Sequence, residues 1–399
     1  MVILSASYVF PQYKTGVRIL TGSYYASGAR NTLPYGGLDL FSDGTFTRAS
    51  SGSFLMRAPT NGSTAFLSWA DPNIRRVEDR GDGSGSLLLL EGARTNIVPY
   101  SRDMTNAGAW TAGVTTVTTG DYGAGPDGVT LADRIEVTAV GLSKYRTMGA
   151  LSGTYVASAW FRSANGGTAT ARAALQNDVS AGIGGLIDTA ITGTFSRLSA
   201  SYFMNASGFW VPGDGRAWGG DPAESLDYIV DLHQIEAGYF PSSPIFTTTV
   251  AATRASDALT YAVGQYPASF LTAGFRFTIA PDFSSADIIA GADTAVLFGV
   301  AGGTNQVDIR KSGVTCILRV YSGGSALIGS SAFTFSRGQQ LTFTIKPNAG
   351  QAIIAGATTG NGTHAGTGFT WTANTIRIGA TSGGAGNSFG RFGRYIEAL

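Results

Sequence analysis

The chain has 399 residues, which at about 100–200 residues per domain allows two to four domains. Hydrophobic residues make up 43% and charged residues only 13%, and the 56 glycines are about twice the average usage. The 11% of aromatic residues can form a sizeable core, which excludes a charged disordered chain. No Gly-x-y period runs through the sequence, which excludes collagen. The composition therefore predicts many short strands joined by tight glycine turns.

The net charge of +1 excludes a large electrostatic footprint for nucleic acid. Only four of the 27 basic residues are lysines, and the other 23 are arginines. Arginine suits packed or interfacial positions, because its planar fork makes several hydrogen bonds. The excess of arginine is therefore typical of a chain with extensive protein–protein contact, although a GC-rich genome explains it equally well.

Cysteine usage and hydropathy limit the cellular context. Cys316 is the only cysteine, so neither an intramolecular disulfide nor a thiolate zinc site can form. No run of about 18 apolar residues occurs, and the first residues lack the charged region of a secretory signal. We therefore expect a protein that does not insert into membranes and that is made in a cytoplasm, where it stays or from which lysis releases it.

Strand patterns dominate the sequence, and Asp-Gly or Asn-Gly turn dipeptides separate many of them. Two short segments, 131–137 and 222–226, are the best helix candidates. Strands separated by such turns favour antiparallel sandwiches over β-α-β units. The predicted fold class is therefore all-β, with two antiparallel β-sandwiches. The clearest strand patterns, in chain order, are 155–162, 226–236, 270–279, 314–321, 341–346 and 375–378.

The pattern divides the chain into three blocks. Residues 1–95 form an irregular strand-and-loop block that precedes the two sandwiches. Residues 96–250 and 256–399 each hold a strand set of the size of one sandwich. The segment 240–249 contains two prolines among serines and threonines, which predicts an extended linker between the sandwiches.

Seven short segments stand out between residues 44 and 257. They are GTFTRAS at 44–50, LLLLEGARTN at 87–96, YSRD at 100–103, Trp110, GPDGVTLAD at 125–133, QIEAGYFPSS at 234–243 and VAATRASD at 250–257. In this order they resemble a family of tailed-phage and prophage virion proteins, the tail-fibre and related appendage proteins with a carbohydrate-binding-module-like jelly roll. Residues 256–399 resemble the concanavalin A/laminin-G type of sandwich that often follows that module.

The resemblance implies a jelly roll at 96–250, a lectin-like sandwich at 256–399 and a docking segment within 1–95 that attaches to other virion proteins. It further implies a homotrimer that is part of the virion, assembles in the host cytoplasm, is released by lysis and contacts host surface polysaccharide. Two alternatives stay open. One is a capsid-decorating, collar or baseplate protein without glycan binding, and the other is a glycan-cleaving tailspike.

Some residues of these segments are expected to hold the fold together. Glu91 and Arg94 flank a glycine after an apolar strand, which predicts an ion pair between them. The sequence Thr-Arg-Ala-Ser occurs at 47–50 and again at 253–256, so each arginine is expected to pin a linker to a sandwich edge. The expected structural residues are Arg48, Glu91, Arg94, Asn96, Glu236 and Arg254.

Sugar binding requires flat aromatic faces together with a few fixed polar groups. Residues 209–221 place such residue types in Gly-rich, loop-like sequence, and the alternative is a loop packed over the sandwich end. Ligands of jelly-roll modules often lie on the concave sheet, which adds two mid-strand aromatic residues whose positions also favour the core. The candidate glycan-binding residues are Trp210, Asp214, Arg216, Trp218, Asp221, Trp160 and Tyr228.

Catalytic patterns find little support. His233 and His364 are the only histidines, neither belongs to a Ser/His/Asp motif, and no Gly-x-Ser-x-Gly sequence occurs. Two carboxylates would suffice for glycoside cleavage, but the long β-helix common to phage depolymerases is missing. Residues 79–85 lack the acidic order of a calcium loop. We therefore expect no enzymatic activity, no cofactor and no bound metal.

Overall fold

The computed structural model describes residues 37–40, 44–48, 52–57, 65–70, 76–79, 86–113, 116–177, 184–217, 221–281, 284–285, 294–301, 305–312, 315–379 and 389–399. Across these ranges the only helical element is a 3-10 turn at Ala268–Leu271, and every strand pairing is antiparallel. The predicted all-β class with antiparallel sandwiches is confirmed. No described helix is long and apolar enough to cross a membrane.

The strands are short, as the turn dipeptides predict. The first seven are β1 (Gly37–Asp39), β2 (Thr45–Thr47), β3 (Gly52–Arg57), β4 (Ala65–Ala70), β5 (Arg76–Asp79), β6 (Ser86–Glu91) and β7 (Arg94–Asn96). The next nine are β8 (Thr116–Ala124), β9 (Leu131–Val137), β10 (Arg146–Ala150), β11 (Gly153–Ser163), β12 (Ala169–Gln176), β13 (Gly184–Ile191), β14 (Ser196–Met204), β15 (Ser207–Val211) and β16 (Leu226–Ala237). The remaining twelve are β17 (Ala252–Arg254), β18 (Ala258–Tyr261), β19 (Phe275–Pro281), β20 (Thr294–Val300), β21 (Asn305–Ser312), β22 (Thr315–Ser322), β23 (Ser325–Gly329), β24 (Leu341–Lys346), β25 (Gln351–Ala355), β26 (Gly362–Ala365), β27 (Ile376–Ile378) and β28 (Phe389–Ala398).

The middle of the chain forms one sandwich. Its five-stranded sheet has the order β14-β11-β16-β9-β8, and its four-stranded sheet has the order β10-β15-β12-β13. Because side chains alternate along a strand, Ala157, Ala159 and Phe161 of β11 face the core. Trp160 therefore lies on the outer face of the five-stranded sheet, where it packs against Leu232. This outer face carries the candidate site described below.

A second sandwich packs a seven-stranded sheet, β2-β18-β27-β20-β21-β22-β23, against an eight-stranded sheet. The larger sheet has the order β26-β25-β24-β19-β28-β6-β5, and β1 also pairs with β28. Stacked aromatic rings fill its core, with Phe275 and Phe298 only 4.5 Å apart between centroids and Trp371 5.8 Å from Phe298. Such offset ring pairs add to the free energy of apolar burial.

Strand pairing departs from the predicted division at residue 95. Strands β5 and β6 extend the sheet of the last block through the pairing of β6 with β28, and β2 pairs with β18. The apolar run Leu87–Leu90 is fully buried because it lies in that sheet. Of the strands described in the first block, β1, β2, β5 and β6 thus belong to the sheets of the second sandwich, whereas β3 pairs with β4 and β7 pairs with β17. The residues before 37 lie outside the described ranges.

Neither helix candidate forms a helix. Segment 131–137 is strand β9, paired with β8 and β16, and its Ile135 and Val137 face the core while Arg134 lies on the opposite face. Residues 222–225 belong to no helix or strand, and Leu226 begins β16. A seven-residue amphipathic pattern fits the apolar period of a helix and that of a strand, and pairing with the neighbouring strands makes this segment a strand.

Buried charges join the first block to the start of the second sandwich. Glu91 accepts from Arg76 at 2.6 Å and from Arg254 at 2.9 Å, and both of its oxygens also bind Ser243. Asp257 in turn binds Arg76 and, at 3.3 Å, Arg48. Burial alone would raise the pKa of Glu91, but the two arginines and Ser243 outweigh it and lower the pKa far below the usual range. We call these residues the buried arginine network.

Three of the predicted structural residues, Arg48, Glu91 and Arg254, thus belong to one cluster, but the predicted ion pair between Glu91 and Arg94 does not form. Arg48 and Arg254, the two arginines of the repeated sequence, both belong to the buried arginine network. Arg94 instead donates to the carbonyl of Ala237 and lies 6.0 Å from the ring centroid of Phe240, while Glu91 is held by Arg76 and Arg254.

The other two structural residues fix the linker to the first sandwich. Asn96 is fully buried; its amide donates to the carbonyls of His233 and Ile245, and its oxygen accepts from the amides of Val98 and Ile235. Glu236 is also buried and accepts hydrogen bonds from Gln234 and Ser242. The linker beyond β16 is therefore held by buried side chains.

We expect Glu91→Ala to lower the free energy of unfolding by about 3–5 kcal/mol, because it leaves two buried guanidiniums without their shared carboxylate. The matched control is Glu397→Ala, whose ion pair with Arg276 is exposed and contributes no more than about 1 kcal/mol. Urea unfolding followed by tryptophan fluorescence measures both variants. Equal losses would contradict the importance of the network.

Candidate functional site

The centre of the predicted glycan cluster lies inside the first sandwich. Trp210 of β15 is fully buried, and its indole Nε1 donates to Nδ1 of His233 at 3.3 Å. His233 is wedged between this ring and Trp110, whose centroid lies 4.9 Å away. Burial lowers the pKa of His233 to about 3, so the imidazole stays neutral and can accept this hydrogen bond. These rings pack the core and present no face to solvent.

The polar members of the same cluster are also engaged within the chain. Asp214 is buried, and its carboxylate binds the guanidinium of Arg216 at 2.6 Å and 2.8 Å. Asp221 is exposed, and Trp218 lies outside the described residues. In the loop that we predicted to bind sugar, the described charged pair is therefore engaged in an ion pair within the chain.

The two mid-strand candidates are buried as well. Tyr228 faces the core, packs edge-on against Phe161, and its hydroxyl lies within hydrogen-bond distance of the carbonyls of Pro212 and Arg172. Trp160 is only 7% exposed, on the outer face of the five-stranded sheet. Its indole nitrogen is buried without a hydrogen-bond partner. Trp160 therefore lies beneath the surface that the following residues form.

A row of partly exposed arginines, with the buried Ile229 between them, crosses this outer face. Arg162 of β11, Ile229 of β16 and Arg134 of β9 lie side by side, because Arg162 pairs with Ile229 and Ile229 pairs with Arg134. An aromatic ring lies against each arginine. We define the jelly-roll face by six residues: Tyr122, Arg134, Arg162, Asn165, Phe195 and Asp227.

One half of the jelly-roll face is a fixed group of four side chains. The guanidinium of Arg134 lies 5.0 Å from the ring centroid of Tyr122, which is 44% exposed. Its Nε and Nη2 donate to the two oxygens of Asp227 at 2.8 Å and 2.9 Å, and Asn165 donates to the same carboxylate at 3.0 Å. The hydrogen bond from Arg134 lowers the pKa of Asp227, so this carboxylate stays ionised and does not serve as a proton donor.

The other half has a guanidinium with free donors. Arg162 lies 5.1 Å from the ring centroid of Phe195, and no described residue gives its guanidinium a hydrogen-bond partner. Its pKa is lowered by burial. A Cβ at Gly123 would lie only 3.0 Å from Nη2 of Arg162, so glycine at this position leaves room for the guanidinium. The unsatisfied N–H groups are available to a ligand.

Together these groups suit a polyhydroxylated ligand. Ring faces accept the C–H surfaces of sugars, guanidinium groups donate to hydroxyl oxygens, and a fixed carboxylate accepts from hydroxyl hydrogens. No group of three or more His, Cys, Asp or Glu side chains that could hold a metal occurs within the described ranges. Most of the acidic turn at 79–85 falls outside those ranges. The arrangement is equipped for binding.

Sequence reasoning missed this face for a local reason. With 131–137 read as a helix candidate, Arg134 was not assigned to a sheet surface beside β16. The alternation of Asp227 and Ile229 with the core residues Tyr228 and Val230 was visible in the predicted strand and marked its outer side.

Comparison with known proteins adds little. No protein-family model matches the chain, and no curated protein matches it. Among solved structures it is similar to the N-terminal CBM22-1-CBM22-2 tandem domain of Xyn10C from Paenibacillus barcinonensis, with 9% identity and a TM-score of 0.26. The match covers 78% of this chain and 99% of that chain. This similarity is too low to transfer a function.

Stability measurements separate core rings from face rings. We expect Trp210→Ala to lower the free energy of unfolding by about 3–5 kcal/mol, because it empties a buried position. Tyr122→Ala should cost no more than about 1 kcal/mol, since it removes a half-exposed ring with one cation–π contact. Thermal or urea unfolding of the two variants tests this, and a larger loss for Tyr122→Ala would contradict the placement of both rings.

Proposed function

We propose that this chain is a virion appendage protein of a tailed phage and that its first sandwich binds host surface glycan at the jelly-roll face. The order of sequence segments between residues 44 and 257 supports the appendage role. The proposal includes no catalytic step. It places the protein on the particle, as a homotrimer attached to other virion proteins through the first block.

The observation that carries glycan binding is Arg162, a partly exposed arginine on the outer face of the sheet whose guanidinium has no described hydrogen-bond partner. Arg162 keeps unsatisfied donors beside the Phe195 ring, and the Tyr122 ring stands at the other end of the row with Arg134 held on it. A rigid sheet fixes the spacing of the two rings, so little conformational entropy is lost when a ligand binds. Rings and free donors together are what hydroxyl-rich ligands require.

An array of bacterial capsular and O-antigen polysaccharides tests binding by the full chain. We expect binding that falls about tenfold in Tyr122→Ala and Arg162→Ala, as loss of one ring or of one charge-assisted contact predicts. The control is Arg276→Ala, which removes a half-exposed arginine from the second sandwich. Equal binding by all variants would show that the jelly-roll face is not the binding site. No binding by the wild type would contradict the glycan proposal.

The particle role has separate tests. Antibody labelling of virions should place the protein on the particle, and the mass in solution should equal three chains. Virion labelling without cell binding would favour a decorating, collar or baseplate protein. Shortened polysaccharide after incubation would favour a tailspike.

A further inference from the structure

The second sandwich repeats the four-residue group of the jelly-roll face. On β21 and β22 the guanidinium of Arg319 lies 4.8 Å from the ring centroid of Tyr321. Its Nε and Nη2 donate to the two oxygens of Asp308 at 2.9 Å and 3.2 Å, and Gln306 donates to the same carboxylate at 2.9 Å. Tyrosine, arginine, aspartate and a side-chain amide thus have the same mutual contacts in both sandwiches.

These side chains share the outer face of the seven-stranded sheet. Val307 and Ile309 of β21 and Leu318 and Val320 of β22 belong to the core, so the residues between them point away from it. Asp308 lies directly opposite Arg319, and Gln306 lies opposite Tyr321. The register of one hairpin therefore builds the whole group.

An arginine without a partner again stands beside the group. Arg310 follows Asp308 by two residues on the same strand face, is exposed, and has no hydrogen-bond or ion-pair partner among the described residues. It resembles Arg162 of the jelly-roll face in having no described hydrogen-bond partner, but it shares a strand with the carboxylate of its group, whereas Arg162 lies two strands from Arg134. We define the C-terminal face by five residues: Gln306, Asp308, Arg310, Arg319 and Tyr321.

A buried ion pair is by itself weak evidence for a stabilising role of this arrangement. Asp308 is fully buried beneath its neighbours, and burial raises its pKa even though Gln306 and Arg319 oppose the shift. A buried ion pair is often no more stabilising than well-packed apolar residues of similar volume. An ion pair that holds a ring and an amide at a sheet surface, found twice in one chain, therefore points to a binding role.

We propose that the C-terminal face is a second glycan site and that it takes a sugar carrying an acidic group. The choice of a glycan rests on the proposed function of the jelly-roll face. The acidic group follows from charge: Arg319 and Asp308 neutralise each other, so Arg310, two residues from Asp308 on the same strand, leaves one uncompensated positive charge beside this ion pair. A guanidinium binds a carboxylate or phosphate through two parallel hydrogen bonds.

Two sites on one chain make binding to a surface polymer bivalent. The second contact becomes intramolecular once the first has formed, so avidity exceeds either single affinity where both sites reach the polymer. Loss of one face should then weaken binding to an immobilised polysaccharide by more than it weakens binding to a short oligosaccharide.

The test uses the full chain on immobilised bacterial polysaccharides, uronic-acid-containing and neutral, with polygalacturonate and dextran as standards. The variants are Arg310→Ala for the C-terminal face, Arg162→Ala for the jelly-roll face, the double variant, and Arg276→Ala as control. Arg310 and Arg276 are both exposed, and unfolding curves should show that their variants fold as the wild type does. We expect binding to acidic polymers, a loss of about tenfold in each single face variant, and complete loss in the double variant.

The outcomes separate the two proposals. If Arg162→Ala abolishes binding and Arg310→Ala equals the wild type, the second site is wrong and the proposed function stands. If Arg310→Ala abolishes binding and Arg162→Ala has no effect, the jelly-roll site is wrong and the second site stands. Binding to neutral polymers alone overturns the acidic site, and binding to none overturns both.

Discussion

The shared carboxylate of Glu91 is the contact on which the rest of the fold depends. It lies at the end of β6, binds Arg76 from the neighbouring strand and Arg254 from β17, just before the last block, and holds Ser243 in the linker. Segments more than 150 residues apart in sequence thereby meet at one side chain. Asp257 extends the contact to Arg48, so both copies of the repeated Thr-Arg-Ala-Ser sequence end in one buried arginine network.

The buried arginines, inside that network and outside it, also give a physical reason for the unusual charge composition. Arg48, Arg76, Arg172 and Arg254 are among the largest fully buried side chains of the described residues. A buried cation must be paired and hydrogen-bonded, and a planar guanidinium reaches several acceptors at once where an ammonium group does not. These arginines are therefore used for contacts within the chain, which is a different explanation from contacts with neighbouring proteins or from genome composition.

Local patterns in the sequence predicted much of the strand content, but they predicted few of the residues that contact each other across strands. The strand-like runs 226–236 and 341–346 identified β16 and β24; burial alternates with period two along β24, whereas nearly every residue of β16 is buried. The partner of Glu91 could not be predicted in this way, because Arg94 is close in sequence whereas Arg254 becomes close only through pairing of β7 with β17. The prediction that Trp210 lies in a sugar-binding surface loop was wrong for a similar reason. Gly-rich flanks suggest such a loop, but cross-strand pairing with Leu175 places the ring in the core.

The two faces show why groups of surface side chains are harder to predict than core residues. A core position needs only an apolar side chain on the inner side of a strand, and many sequences satisfy it. A face such as that of Arg134 and Asp227 needs four groups in mutual contact, brought together from separate strands and a turn by the register. The C-terminal face meets the same requirement with a single hairpin, so Asp308 and Arg319 are only 11 residues apart. Two different backbone routes to one side-chain arrangement support the proposal that both faces bind the same class of ligand.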